Sequence, residues 1–122
     1  MCVGKKIWVF PDGDLPAASD GPLKGHESLI ILNSSNKDTK VIFEIYFEEK
    51  DPVKDITTTV KVQRVRCFRL DSPIGDDKTF QIPFGQYALI VISEQPVVAQ
   101  IGRMDVSQPN LAYYTVMGYC CD

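Results

Sequence analysis

Apolar residues recur at every second position along much of this chain, and no long stretch keeps the i, i+3, i+4, i+7 spacing of an amphipathic helix. The period of two predicts strands. Lys6 to Phe10 opens the series, and Pro11-Asp12-Gly13-Asp14 closes it with turn chemistry. Residues 15–25 (LPAASDGPLKG) hold two prolines and two glycines and read as a long loop. Glu27 to Leu32 is the second strand, ended by Asn33-Ser34-Ser35-Asn36. Thr39 to Glu48 alternates most cleanly, with Val41, Phe43, Ile45 and Phe47 on one face and Glu44 and Glu48 on the other. After the Lys50-Asp51-Pro52 turn, Thr57 to Gln63 and Arg64 to Leu70 form two strands or one bent ribbon. Asp71 to Asp77 is loop. Gly85 to Ser93, Pro96 to Asp105 and Leu111 to Gly118 supply the remainder, with Glu94-Gln95-Pro96 read as a tight hairpin between the first two. About eight short strands separated by turns predict an all-β, single-domain antiparallel β-sandwich, jelly-roll-like, over residues 1–122.

Two segments depart from simple alternation. Leu29-Ile30-Ile31-Leu32 and Tyr87 to Ile92 are apolar on both faces. A sandwich of this size has one interior, so an outward apolar face needs another cover. Another copy of the chain is the expected cover, which predicts a homo-oligomer. The competing reading folds the 15–25 loop over one of those faces.

Composition narrows the class. With 122 residues, 44% hydrophobic and 24% charged, the chain has the balance of one globular domain. A net charge of −3 argues against a nucleic-acid partner, unless an oligomer gathers its arginines on one side. No apolar run approaches bilayer length, and Met1 to Phe10 lacks the pattern of an export signal, so the expected location is the cytoplasm. The four cysteines include no CxxC pair, and the single His cannot complete a zinc set of the usual spacing, so reduced thiols and no metal are expected.

Candidate chemistry points away from catalysis. His26 and Glu27 are neighbours on a strand and project to opposite faces, so they cannot act as a paired acid and base. No phosphate-binding glycine loop, nucleophile elbow or His-Glu-x-x-His occurs. The arginines are better placed: Arg64, Arg66 and Arg69 share one strand region, and Arg103 stands in another. A guanidinium holds carboxylates, phosphates or hydroxyls in fixed geometry, whereas Lys is a mobile point charge. Arg64 and Arg66 share a face, Arg69 takes the other, and Arg103 and Asp105 share one. These groups either form ion pairs, with Glu44, Glu48 or Glu94 as partners, or line a polar ligand site. Trp8 either packs with Phe10 in a core or stands at a mouth where its indole could stack on a ligand. His26 either anchors the preceding loop or switches near neutral pH. Tyr113, Tyr114 and Tyr119 fit an interface.

One ordered set of residues carries a family resemblance. Ile7-Trp8 followed by Asp12-Gly13, His26-Glu27 leading into Ile31-Leu32-Asn33, Tyr46 and Pro52 begin it. Thr59-Val60, Arg64, Arg69, Pro96 and Gln100-x-x-Arg103-x-Asp105 complete it. In order and spacing the set resembles the sensory rhodopsin transducer family, whose founding type has Glu where Asp12 stands and His where Ile101 stands. The residues themselves lead to the expectation of no enzymatic activity and no cofactor, and the resemblance implies an all-β sandwich assembled as a homotetramer. It further implies binding of a small polar ligand, carbohydrate-like in chemistry, with Trp8, His26, Glu27, Asn33, Arg64, Arg69, Arg103 and Asp105 as candidate ligand-binding positions. The alternative it carries is a soluble transducer that contacts a membrane photoreceptor or another signalling protein; contact with DNA stays open only through arginines that an oligomer gathers on one side.

Overall fold

The computed structural model describes residues 3–17, 22–107 and 110–122. Its strands are β1 (Lys5–Leu15), β2 (His26–Asn33), β3 (Thr39–Tyr46), β4 (Val53–Val60), β5 (Arg64–Arg69), β6 (Gly85–Asp105), β7 (Ala112–Met117) and β8 (Tyr119–Cys121). All pairings are antiparallel, and the described residues contain no helix. The all-β, single-domain expectation of an eight-strand fold holds. No helix among them is long and apolar enough to cross a membrane.

The strands form two layers that share one member. The first runs β4-β3-β6-β1-β8. The second runs β5-β2-β6-β7, since β2 pairs with both β5 and β6, and β6 also pairs with β7. The first half of β6 pairs with β1 and β3, and its second half pairs with β2 and β7. The hairpin expected at Glu94-Gln95-Pro96 is therefore absent, and one 21-residue strand crosses between layers there. Glu94, Gln95 and Pro96 have no partners in either ladder, so the missing N–H of proline removes no hydrogen bond. Thr39 holds the crossing: its hydroxyl accepts the Gln95 N–H at 2.9 Å and bonds the Ser93 hydroxyl at 2.7 Å.

A second turn signal is overridden in β1. The register passes from Phe10 opposite Leu89 to Gly13 opposite Tyr87, so Pro11 and Asp12 form a bulge with one extra residue. The strand runs on to Leu15 rather than stopping at Phe10. The chain end is also more ordered than alternation suggests: β8 pairs with β1, placing Cys120 opposite Trp8. Cys67, Cys120 and Cys121 are free thiols.

Inward-facing residues of both layers form one core, including Trp8, Phe10, Leu29, Ile31, Phe43, Phe68, Leu89 and Val91. Phe43 of β3 meets Phe68 of β5 edge to face, with ring centroids 5.3 Å apart. Burying each such side chain stabilises the fold by roughly 1.5–3 kcal/mol. The outer faces are also apolar. On the second layer Leu32 is 41% exposed, Val65 64% and Met117 65%, beside half-buried Ile30 and Val98. On the first, Ile7, Val9, Ile42, Ile90 and Ile92 are half-buried neighbours in register. The 15–25 loop does not decide the cover, since residues 18–21 lie outside those described.

Candidate functional site

Strand alternation aims Glu27 into the space between layers, while His26 and Ser28 face outward. The Glu27 side chain has no solvent exposure. Such a carboxylate is tolerable only with several donors, and it has three. Arg103 donates through Nε to Oε2 at 2.6 Å. The Tyr87 hydroxyl donates to Oε1 at 2.7 Å, and the Asp14 backbone N–H donates to the same oxygen at 3.1 Å. Burial first, then the Glu27 charge and hydrogen bond, push the Tyr87 phenol well above its ordinary range, so it remains a neutral donor.

Arg103 carries the network outward. It pairs with Glu27 across β2 and with Tyr114 across β7. One Nη donates to the Tyr114 hydroxyl at 3.0 Å, and the other donates to the Asp12 carbonyl in the β1 bulge at 3.1 Å. The guanidinium carbon also lies 5.7 Å from the Tyr114 ring centroid. Burial disfavours the charged form, but hydrogen bonds to Tyr114 and Glu27 outweigh it and raise the Arg103 pKa further. Asp105 shares the strand face of Arg103, and its carboxyl is lowered by hydrogen bonds with Ser107, including the Ser107 N–H at 2.8 Å. This corner offers guanidinium donors, a carboxylate acceptor and the exposed Tyr114 ring, a combination suited to hydroxylated ligands.

The other expected residues stand elsewhere. Trp8 is 5% exposed and donates its indole N–H to the Val97 carbonyl at 2.9 Å, so its ring belongs to the core. Asn33 closes the turn after β2: its amide nitrogen reaches the Lys37, Val60 and Lys61 carbonyls, and its oxygen accepts from the Ser35 N–H and hydroxyl. His26 meets the Lys24 carbonyl at 2.9 Å through Nδ1. Arg69 grips Asp71 with both Nε and Nη2 at 2.8 Å. Burial opposes the ionised Asp71, but the Arg69 bond and charge outweigh it and hold its carboxyl below the usual range, with a smaller contribution from His26. Arg64 and Arg66 do share a face and Arg69 the opposite one, as their pairing with Asn33, Ile31 and Ser28 requires.

Thus Glu27, Arg103 and Asp105 come together, whereas Arg64 and Arg69 lie on β5, which pairs with β2 and not with the strand that carries Arg103. Among the described residues no Arg pairs with Glu44, Glu48 or Glu94. The partners are Glu27 and Asp71. Tyr87 lies in an apolar run and Tyr114 among the tyrosines that fit an interface, so the sequence marks neither as a partner of Glu27 or Arg103. The described residues include no group of three His, Cys, Asp or Glu side chains able to hold a metal.

The family described as Anabaena sensory rhodopsin transducer matches residues 3–120. A Thermotoga maritima protein designated 1070, known from a crystal structure, is 31% identical, with a TM-score of 0.82 over 96% of this chain and 95% of that one. The solved Anabaena sensory rhodopsin transducer is 29% identical, with a TM-score of 0.74 over 90% of this chain and 96% of the other. No curated protein matches. A match across nearly all of the sequence, together with two full-length structural likenesses, makes this chain a member of the Anabaena sensory rhodopsin transducer family.

Proposed function

We propose that this chain is a non-enzymatic, cytoplasmic signalling module that binds a small polar, carbohydrate-like ligand as a homo-oligomer. Membership of a transducer family supports the signalling role. The observation that carries the ligand reading is the chain of contacts from buried Glu27 through Arg103 to Tyr114 and the Asp12 carbonyl. A ligand hydroxyl accepting from the outer N–H groups of Arg103 and donating to Asp105 competes with contacts that fix β7 and the β1 bulge. Occupancy then favours one arrangement of these segments over another, which a differential affinity requires. The exposed Tyr114 ring supplies an apolar face for a sugar ring.

Calorimetric titration with a panel of sugars and sugar acids tests this reading. Saturable binding to at least one compound is expected, weakened roughly tenfold or more in Asp105→Asn, since a charge-assisted hydrogen bond is lost. A flat response across the panel overturns it. The second reading, a transducer of a membrane photoreceptor, is favoured by the family's name and by the apolar outer faces. It places binding on those faces instead and leaves the Arg103 corner silent.

A further inference from the structure

Arg69 and Arg103 are matched by carboxylates; Arg64 and Arg66 have no acidic partner among the described residues. Both lie on the inner-face parity of β5, two residues apart, which sets their Cα atoms about 7 Å from one another. There β5 is the free edge of one layer and β4 that of the other. A cleft of about 520 Å³ opens between them, lined by Thr59, Lys61, Arg64, Val65, Arg66 and Asp76 among others.

Of the charged side chains lining the cleft, three are cations and one, Asp76, is a carboxylate. Arg66 is anchored: a single Nη donates to the Thr58 hydroxyl at 2.9 Å and to the Thr59 carbonyl at 2.7 Å, and the guanidinium stacks 4.6 Å from the Phe68 ring centroid. Its other N–H groups remain for a ligand. Arg64 is held only by one Nη bond to the neighbouring Gln63 carbonyl at 3.0 Å. Lys61 forms an exposed pair with Asp38 at 3.5 Å, weak enough to be exchanged. Two guanidinium forks on one face, one preset by stacking, are geometry for an oxyanion. Asp76 on the same cleft rejects a bare polyanion but accepts hydrogen bonds from hydroxyls.

We infer that the β4–β5 cleft is a binding site for a small hydroxylated organic acid, its carboxylate or phosphate on Arg64, Arg66 and Lys61 and its hydroxyls toward Asp76. This site is separate from the Arg103 corner. Asn33 opposite Arg64 and Glu27 opposite Arg103 lie at opposite ends of β2, about 20 Å apart along the strand. It stands whether or not that corner takes a neutral sugar.

The test is amide NMR of the full chain at low salt during titration with gluconate, glucose 6-phosphate, inorganic phosphate and glucose at millimolar concentration. Saturable shifts confined to residues 59–66 and 76 are expected with gluconate or glucose 6-phosphate, and the arm that responds identifies carboxylate or phosphate. Glucose leaves those amides unmoved, and inorganic phosphate binds more weakly than its sugar ester. Arg64→Gln, at an exposed position that leaves the Arg66 anchor intact, weakens the anion by roughly tenfold or more, whereas Arg64→Lys loses only part. No saturable shift from either organic acid, undiminished binding in Arg64→Gln, or an equal response to glucose overturns the assignment. Shifts at Arg103 and Tyr114 without shifts at 59–66 support the corner site and overturn the cleft.

Discussion

Glu27 has no contact with water, yet it is matched so completely that its removal is more damaging than its burial. Its three donors come from β1 and β6, so one side chain ties together strands distant in sequence. Glu27→Gln keeps the shape but removes the charge and one of the two acceptor oxygens, so either Arg103 or the Tyr87 and Asp14 donors must face an amide N–H₂. Breaking such a pair from either side costs about 3–5 kcal/mol. Urea unfolding should show that loss for Glu27→Gln and for Arg103→Met. The double variant should recover part of it, because no uncompensated charge remains. Additive losses in the double variant would mean that the two groups do not act as a pair.

Among the strands, alternation was enough to read β2 and β3 nearly to their ends, because each buries one face against the core and the period of two survives intact. It failed where a layer change or a bulge intervenes. Glu94-Gln95-Pro96 and Pro11-Asp12 carry turn residues for a real reason, since the backbone there leaves its ladder, but the strand resumes instead of reversing. The candidate site was legible as residue types and not as a place. Arg103 and Asp105 could be put on one face by spacing, whereas Tyr87 reaches Glu27 only through the packing of the two layers. Gly13 shows how closely the bulge and the site are coupled. A Cβ there would stand 2.3 Å from the Tyr87 ring, which Glu27 holds by its hydroxyl. At Gly102 the nearest atom is the Tyr113 hydroxyl at 2.0 Å, the far end of a side chain that is 58% exposed and free to turn away. Thermal unfolding should therefore show Gly13→Ala destabilised by about 1–3 kcal/mol and Gly102→Ala much less affected. Equal losses would mean that the Tyr87 ring yields as readily as Tyr113.

For the whole molecule, the outer surfaces follow from the same strands that build the interior. β2 and β6 are apolar on both sides, so filling the core leaves Ile30 and Leu32 outside one layer and Ile90 and Ile92 outside the other. These two patches face away from each other and differ in composition. Where each meets its own copy about a two-fold axis, the set closes at four copies, a dihedral tetramer, only if the two axes cross at right angles; otherwise it runs on as an open chain. The proposed assembly makes a stepwise prediction. Light scattering should report four copies for the parent chain. Leu32→Glu places a charge at a 41% exposed position of one patch and should halve the mass, and Ile42→Glu should do the same through the other. Both together should leave a folded single copy, since neither side chain belongs to the buried core. A parent protein already monomeric at working concentration would remove the assembly. It would also confine signalling to movements within one chain, between the Arg103 corner, the β1 bulge and β7.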